Sequence, residues 1–88
     1  MRYAAKVDDN QRAIVEALRA IGATVYAIGR PVDLLVGYRR INTLLEIKNV
    51  HGKDAVSPRQ QDFIDEWRGQ VAVVRNPEEA IAVLKNGR

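Results

Sequence analysis

There is no cysteine in this 88-residue chain, and aromatic residues are few: three Tyr, one Phe and one Trp. Without cysteine there are no disulfides, no thiol catalysis and no cysteine-ligated zinc. No apolar run approaches the roughly 20 residues that cross a bilayer. The opening Met1-Arg2-Tyr3-Ala4-Ala5-Lys6-Val7-Asp8 has no apolar core of signal-peptide length. A cytoplasmic protein is the expectation. A large excess of one charge is also missing. The net charge of +3 permits a polyanionic partner without demanding one. Repeats, low-complexity tracts and linkers are absent, so residues 1–88 form one domain. At this length the core is thin, and a homodimer that buries more surface is expected.

What is present is a close succession of helical and strand patterns. Ile14, Leu18 and Ile21 recur at helical spacing, which predicts a helix over 8–21. Asp8 or Asp9 would cap it, Gln11 stands at capping-box distance from Asp8, and Gly22 would end it. Asn10 and Gln11 project on the side of the apolar stripe, and Glu16 away from it. Strands are expected at 24–28, 32–37, 43–48 and 70–75, with Gly29-Arg30-Pro31 breaking the chain after the first. Residues 49–54 read as a polar loop. Ser57-Pro58-Arg59-Gln60 is a strong helix start, with Ser57 as cap and Gln60 as its capping-box partner. That helix should run to Arg68 with Phe63, Ile64 and Trp67 facing inward. The fourth strand looks apolar enough to be buried on both faces. Asn76-Pro77-Glu78-Glu79 opens a last helix that reaches Lys85. The order αβββαβα predicts an α/β domain with a mixed four-stranded sheet, in which the first three strands form an antiparallel meander. The helix before the fourth strand makes its pairing with the third parallel.

The chemistry concentrates between Pro31 and Lys48. Side chains alternate along a strand, so Glu46 and Lys48 share a face. A hairpin centred between Arg39 and Arg40 sets Asp33 directly opposite Glu46, with Cβ atoms about 4.5–5.5 Å apart. A one-residue slip would destroy that arrangement. Arg39-Arg40 is poor chemistry for a two-residue turn, so a four-residue loop from Tyr38 to Ile41 in the same register is expected. Leu35 and Leu44 lie on the acids' face, and Val32, Leu34, Val36, Leu45 and Ile47 on the other; both faces are expected to be covered. Two carboxylates side by side in such surroundings repel and lose hydration. A hard divalent cation resolves the conflict, with the Ile47 carbonyl as an extra ligand, and Lys48 adds a cation that can orient water or meet developing negative charge. The competing reading is a solvated strand face on which Asp33 forms a surface ion pair.

Asp33, a spacer of about a dozen residues and Glu46-Ile47-Lys48 together resemble the PD-(D/E)xK nuclease superfamily. Within it the chain is most similar to small VRR-Nuc and Holliday-junction-resolvase-like proteins of phages and bacteria. The resemblance extends over Asn10-Gln11, Gly22-Ala23-Thr24-Val25, Asp33 to Gly37, Leu44 to Lys48, Ser57 to Gln60 and Trp67 to Val74. It implies a restriction-endonuclease-like core and a metal-dependent endonuclease acting on DNA, including flaps or junctions. Asp33 and Glu46 would hold Mg²⁺, for which Mn²⁺ substitutes. Lys48 would be the catalytic lysine, and Gln60 the glutamine of the helix that follows. The chain departs from the pattern in two places. Val32 separates Pro31 from Asp33, and Ala13 stands where relatives often carry an acid. A catalytically inactive nucleic-acid-binding or assembly module with the same fold would show such departures.

Arg30, Arg39, Arg40 and Lys53 flank these residues in sequence and are the candidates for phosphate contacts; ordinary surface charge is the alternative. His51, the only histidine, is a candidate base in the loop after Lys48. Arg75 has two readings, a phosphate contact or a helix-end ion pair. Tyr26, Tyr38 and Trp67 are too scattered for a stacking platform, and Trp67 is assigned to the core.

Overall fold

A computed structural model describes residues 2–48 and 56–86, with side chains from Asp9 onward. The elements are α1 (Arg2–Ala20), β1 (Thr24–Ala27), β2 (Leu34–Tyr38), β3 (Ile41–Ile47), α2 (Pro58–Glu66), β4 (Gln70–Val74) and α3 (Pro77–Asn86). The sheet order is β1-β2-β3-β4. The first two pairings are antiparallel and the third is parallel. This is the expected α/β domain with three helices and a mixed four-stranded sheet.

Several boundaries differ from the sequence-based expectation. α1 begins at Arg2, so neither Asp8 nor Asp9 caps it. Nothing between Arg2 and Val7 breaks a helix, and Arg2, Ala4, Ala5 and Lys6 are all good helix formers. Its far end closes as expected at Gly22, whose φ is +100°. The Gly22 N–H donates to the Arg19 carbonyl and the Ala23 N–H to that of Leu18, the paired bonds of a Schellman motif. α2 stops at Glu66, and Trp67 is already extended. β4 is an edge strand bonded only to β3. Only Val74 of it is buried, so it is not covered on both faces.

The β2–β3 register is the expected one, running from Leu34 opposite Leu45 to Tyr38 opposite Ile41. The turn is not. Only Arg39 and Arg40 connect the strands, with φ of 53° and 69°. Two consecutive positive φ values define the type I′ geometry whose twist matches an antiparallel pair. It forms here without the Asn-Gly that normally supplies it, because the strand pairing on either side dictates the connection.

The alternation of β2 and β3 divides the molecule. Val25, Leu34, Val36, Leu45 and Val74 project to one face and join Ile14 and Leu18 of α1 and Ala80 and Leu84 of α3 in the core. α1 and α3 also pack on each other there. α2 serves the opposite face, yet none of its residues is buried. That face is partly open: Leu35 is 38% exposed and Trp67 44%. On β3, Thr43 to Glu46 are all buried, so that strand is covered on both faces as expected; Leu35 of β2 is the exception, and the expectation that Trp67 belongs to the core is corrected. Among the described residues no helix is long and apolar enough to cross a membrane.

The hairpin tip yields a direct test. Replacing Arg39 by Asn and Arg40 by Gly supplies residues that adopt positive φ at low cost. The double variant should be more stable by about 1–2 kcal/mol, read as a raised urea midpoint with unchanged slope.

Candidate functional site

Asp33 stands just ahead of β2. Its backbone carbonyl accepts from the N–H groups of Ile28 (2.9 Å) and Gly29 (3.2 Å), which ties the β1–β2 connection to the strand. The residue inserted before it, Val32, is wholly buried. Val32 is thus packed away from solvent, while the next residue turns its carboxylate toward β3. The Asp33 Oδ2 atom accepts from the Ile47 N–H at 2.8 Å, so its carboxylate bridges to the end of β3 next to Glu46. The insertion between Pro31 and Asp33 does not carry Asp33 away from Glu46.

Glu46 is only 4% exposed. Its Oε2 accepts from Gln60 Nε2 at 2.8 Å, and its Oε1 is buried with no hydrogen-bond partner among the described residues. Gln60 owes its orientation to the start of α2. Its N–H donates to Ser57 Oγ (3.1 Å), and its side-chain oxygen accepts from the Ser57 N–H (3.4 Å). With the amide oxygen committed to the cap, the amide nitrogen points at Glu46. The capping role and the site role of Gln60 are one arrangement. Lys48 follows β3, near enough for its charge to act on Glu46, its main-chain N–H donating to Val74 of β4 at 2.9 Å.

Burial, then the Asp33 charge, push the Glu46 carboxyl up to about 7; the Gln60 bond and the Lys48 charge pull it back. Asp33 is near enough to accept the Glu46 proton. With the Gln60 amide donating to Oε2 and the Ile47 N–H to Asp33, that proton is what joins the two carboxylates. Once it leaves, two carboxylates face each other around an unsatisfied buried oxygen.

The donor set fits a hard cation: the carboxylates of Asp33 and Glu46, with the Ile47 main chain between them. Among the described residues there is no group of three or more His, Cys, Asp and Glu side chains. Such an ion would therefore lean on two carboxylates, water and its substrate. Ala13, the position considered for a first-helix acid, is exposed on a helix that packs against the other face of the sheet.

The basic residues separate into two groups. A cleft of about 390 Å³ opens beside Gln60, and Arg30 and Arg59 both line it. Arg30 thus shares a cleft with Gln60, the residue that holds Glu46. Arg59 was missed, although its place in the first turn of α2 beside Gln60 was the available signal. Arg39 and Arg40 are at the hairpin tip, six residues or roughly 20 Å along β2 from Asp33, and do not border the site. Arg39 lies over the Tyr38 ring, 5.0 Å from its centre. Arg75 takes the ion-pair reading, 3.9 Å from Glu79. Lys53 and His51 lie outside the described residues. Compared with protein-family models, with curated proteins and with solved structures, the chain gives no match.

The raised Glu46 value fixes a pH dependence. Between about 4.5 and 7 the folded protein keeps a proton that the unfolded chain releases. Its contribution to stability is full below the lower value and is lost as pH rises through the upper one, with a slope of at most about 1.4 kcal/mol per pH unit. Urea unfolding across this window should show the decline. Glu46→Gln should flatten it, whereas Gln60→Leu, by removing a bond that favours the ionised form, should extend it to higher pH. A decline that persists in Glu46→Gln would assign it to another group.

Proposed function

We propose that this chain is a metal-dependent endonuclease that hydrolyses DNA phosphodiesters, with a restriction-endonuclease-like core of the PD-(D/E)xK kind. The observation that carries this reading is the buried Oε1 of Glu46, set beside Asp33 and without a hydrogen-bond partner among the described residues, while the Gln60 that holds the other oxygen also lines a cleft with two arginines. A carboxylate pair so placed is costly for a purely structural role, because burial and mutual repulsion both oppose its ionisation.

Asp33 and Glu46 would hold Mg²⁺ or Mn²⁺. A bound ion would neutralise charge on a phosphate oxygen and lower the pKa of a bound water. Gln60 keeps the Glu46 carboxylate in one orientation. Asp33 fixes the end of β3 through the Ile47 N–H, so the two acids keep their separation. Lys48 supplies positive charge where a phosphate in attack gains negative charge. Arg30 and Arg59 attract and position the backbone on either side. One such site cuts one strand; paired cuts in a junction or duplex need two, which a homodimer provides.

The test is incubation with supercoiled plasmid, flap and four-way-junction DNA in Mg²⁺ or Mn²⁺. Nicking should occur, stop with EDTA, and fall at least about 100-fold in Lys48→Ala. Cutting that survives both treatments would refute the assignment. DNA binding without cutting would support a second reading, that of a non-catalytic nucleic-acid-binding or assembly module. The small donor set, with no third acidic or histidine side chain among the described residues, is the observation in its favour.

A further inference from the structure

The cleft with Arg30 and Arg59 also has an apolar side. Its walls include Pro31 and Phe63, and both residues also line a second hollow of about 500 Å³. The second hollow has a different character. Leu35, Leu44, Phe63 and Trp67 make it largely apolar, with Asn42 and Gln70 at its margin. The two form one groove, basic at the end beside Gln60 and aromatic at the other.

Sequence explains why this groove exists. Arg59, Phe63 and Trp67 are spaced four apart, which sets Arg59 and Phe63 on one stripe of α2. Asp65 projects away from that stripe, Asp62 stands at its border, and Glu66, three residues after Phe63, closes it at the aromatic end. α2 has no acid in its first turn, so its N-terminal partial charge is not neutralised where the arginines stand. The helix stops at Glu66, and Trp67 folds back to put its ring 5.1 Å from that of Phe63, inclined by 32°. Gly69 makes room for this. A Cβ there would lie 2.7 Å from Trp67 Nε1. The indole is thereby held in place while remaining 44% exposed.

From this groove we infer that the protein binds an unpaired nucleic-acid strand, with a phosphate between Arg30 and Arg59 and the neighbouring base against Phe63 and Trp67. A nucleotide joins an anion to a flat aromatic face, and the groove offers a complement to each in that order. An apolar peptide would suit the aromatic end but leave two arginines without counter-charge, and a second copy of the chain is told apart by the concentration dependence tested below. A base within an intact duplex presents no free face to Trp67, so the strand must be single at this point, as in a tail or flap. The inference rests on the proposed function for its choice of ligand, but it requires neither metal nor catalysis.

Trp67 is the only tryptophan in the chain, which makes its emission a reporter of the groove. Metal-free full-length protein in EDTA is titrated with oligothymidylate of roughly six nucleotides, within the site size of small single-strand binders, and separately with a blunt duplex of equal length. The single strand should quench Trp67, and added salt should reverse the quenching. Arg30→Gln with Arg59→Gln should weaken binding roughly tenfold or more while the far-UV spectrum stays unchanged. By fluorescence anisotropy of a labelled strand, Trp67→Phe should retain most of the affinity and Trp67→Ala lose roughly tenfold. Equal quenching by duplex, or quenching indifferent to the arginine pair, overturns the inference. A Trp67 signal that changes with protein concentration alone also overturns it and assigns the groove to a second copy. Absence of nicking in Mg²⁺ bears on the nuclease reading alone, since the titration contains no metal.

Discussion

Five residue pairs, from Leu34 with Leu45 to Tyr38 with Ile41, hold β2 and β3 in one register, and the rest of the molecule hangs on that choice. Shifting either strand by one residue would turn Leu34, Val36 and Leu45 out of the core and bring Leu35, Leu44 and Glu46 into it. The apolar set on one face therefore fixes, without any contact of its own with the acids, that Asp33 and Glu46 meet on the other. The pairing also overrides local preference. It holds Arg39 and Arg40 at positive φ, a conformation neither residue favours.

The carboxylate pair is the counterpart of that order. Burial is usually tolerated because buried polar atoms find partners. Glu46 finds one in Gln60 and lacks a second. The shortfall is built by otherwise ordinary devices: an N-cap that aims the Gln60 amide, a wholly buried Val32 just ahead of Asp33, and a backbone N–H of Ile47 that holds the Asp33 carboxylate. Each stabilises its own piece of the fold. Together they leave a buried oxygen without a hydrogen-bond partner among the described residues, a place that suits a proton or a cation.

Much of this was legible in the residues because alternation and helical spacing are strong signals. Element order, sheet pairing, register and the meeting of Asp33 with Glu46 follow from which positions are apolar. Legibility failed where a tertiary constraint outweighed a local rule. The two-residue turn was discounted on turn chemistry, but flanking pairs decide it. Trp67 continues the spacing of Phe63 and so reads as core; the helix ends one residue too soon for that. Arg39 and Arg40 look close to Asp33 along the chain, yet an extended strand carries them to the far end of the sheet. The first turns of α1 were missed because Asp8 and Asp9 resemble caps, and nothing local shows that the helix has already begun. The restriction-endonuclease-like identity remains part of the proposal, resting on these residues and their order.

The two faces of the sheet meet different demands. Residues that keep the chain folded lie with α1 and α3, while the acids, the arginines and the aromatic pair lie with α2, which buries no residue. The faces share only the backbone of the strands between them. Along β2 and β3, consecutive residues therefore answer to cohesion and to chemistry in turn. A small sheet read on alternate residues thus behaves like two proteins on one main chain, one of them free to change its ligand while the other keeps its shape.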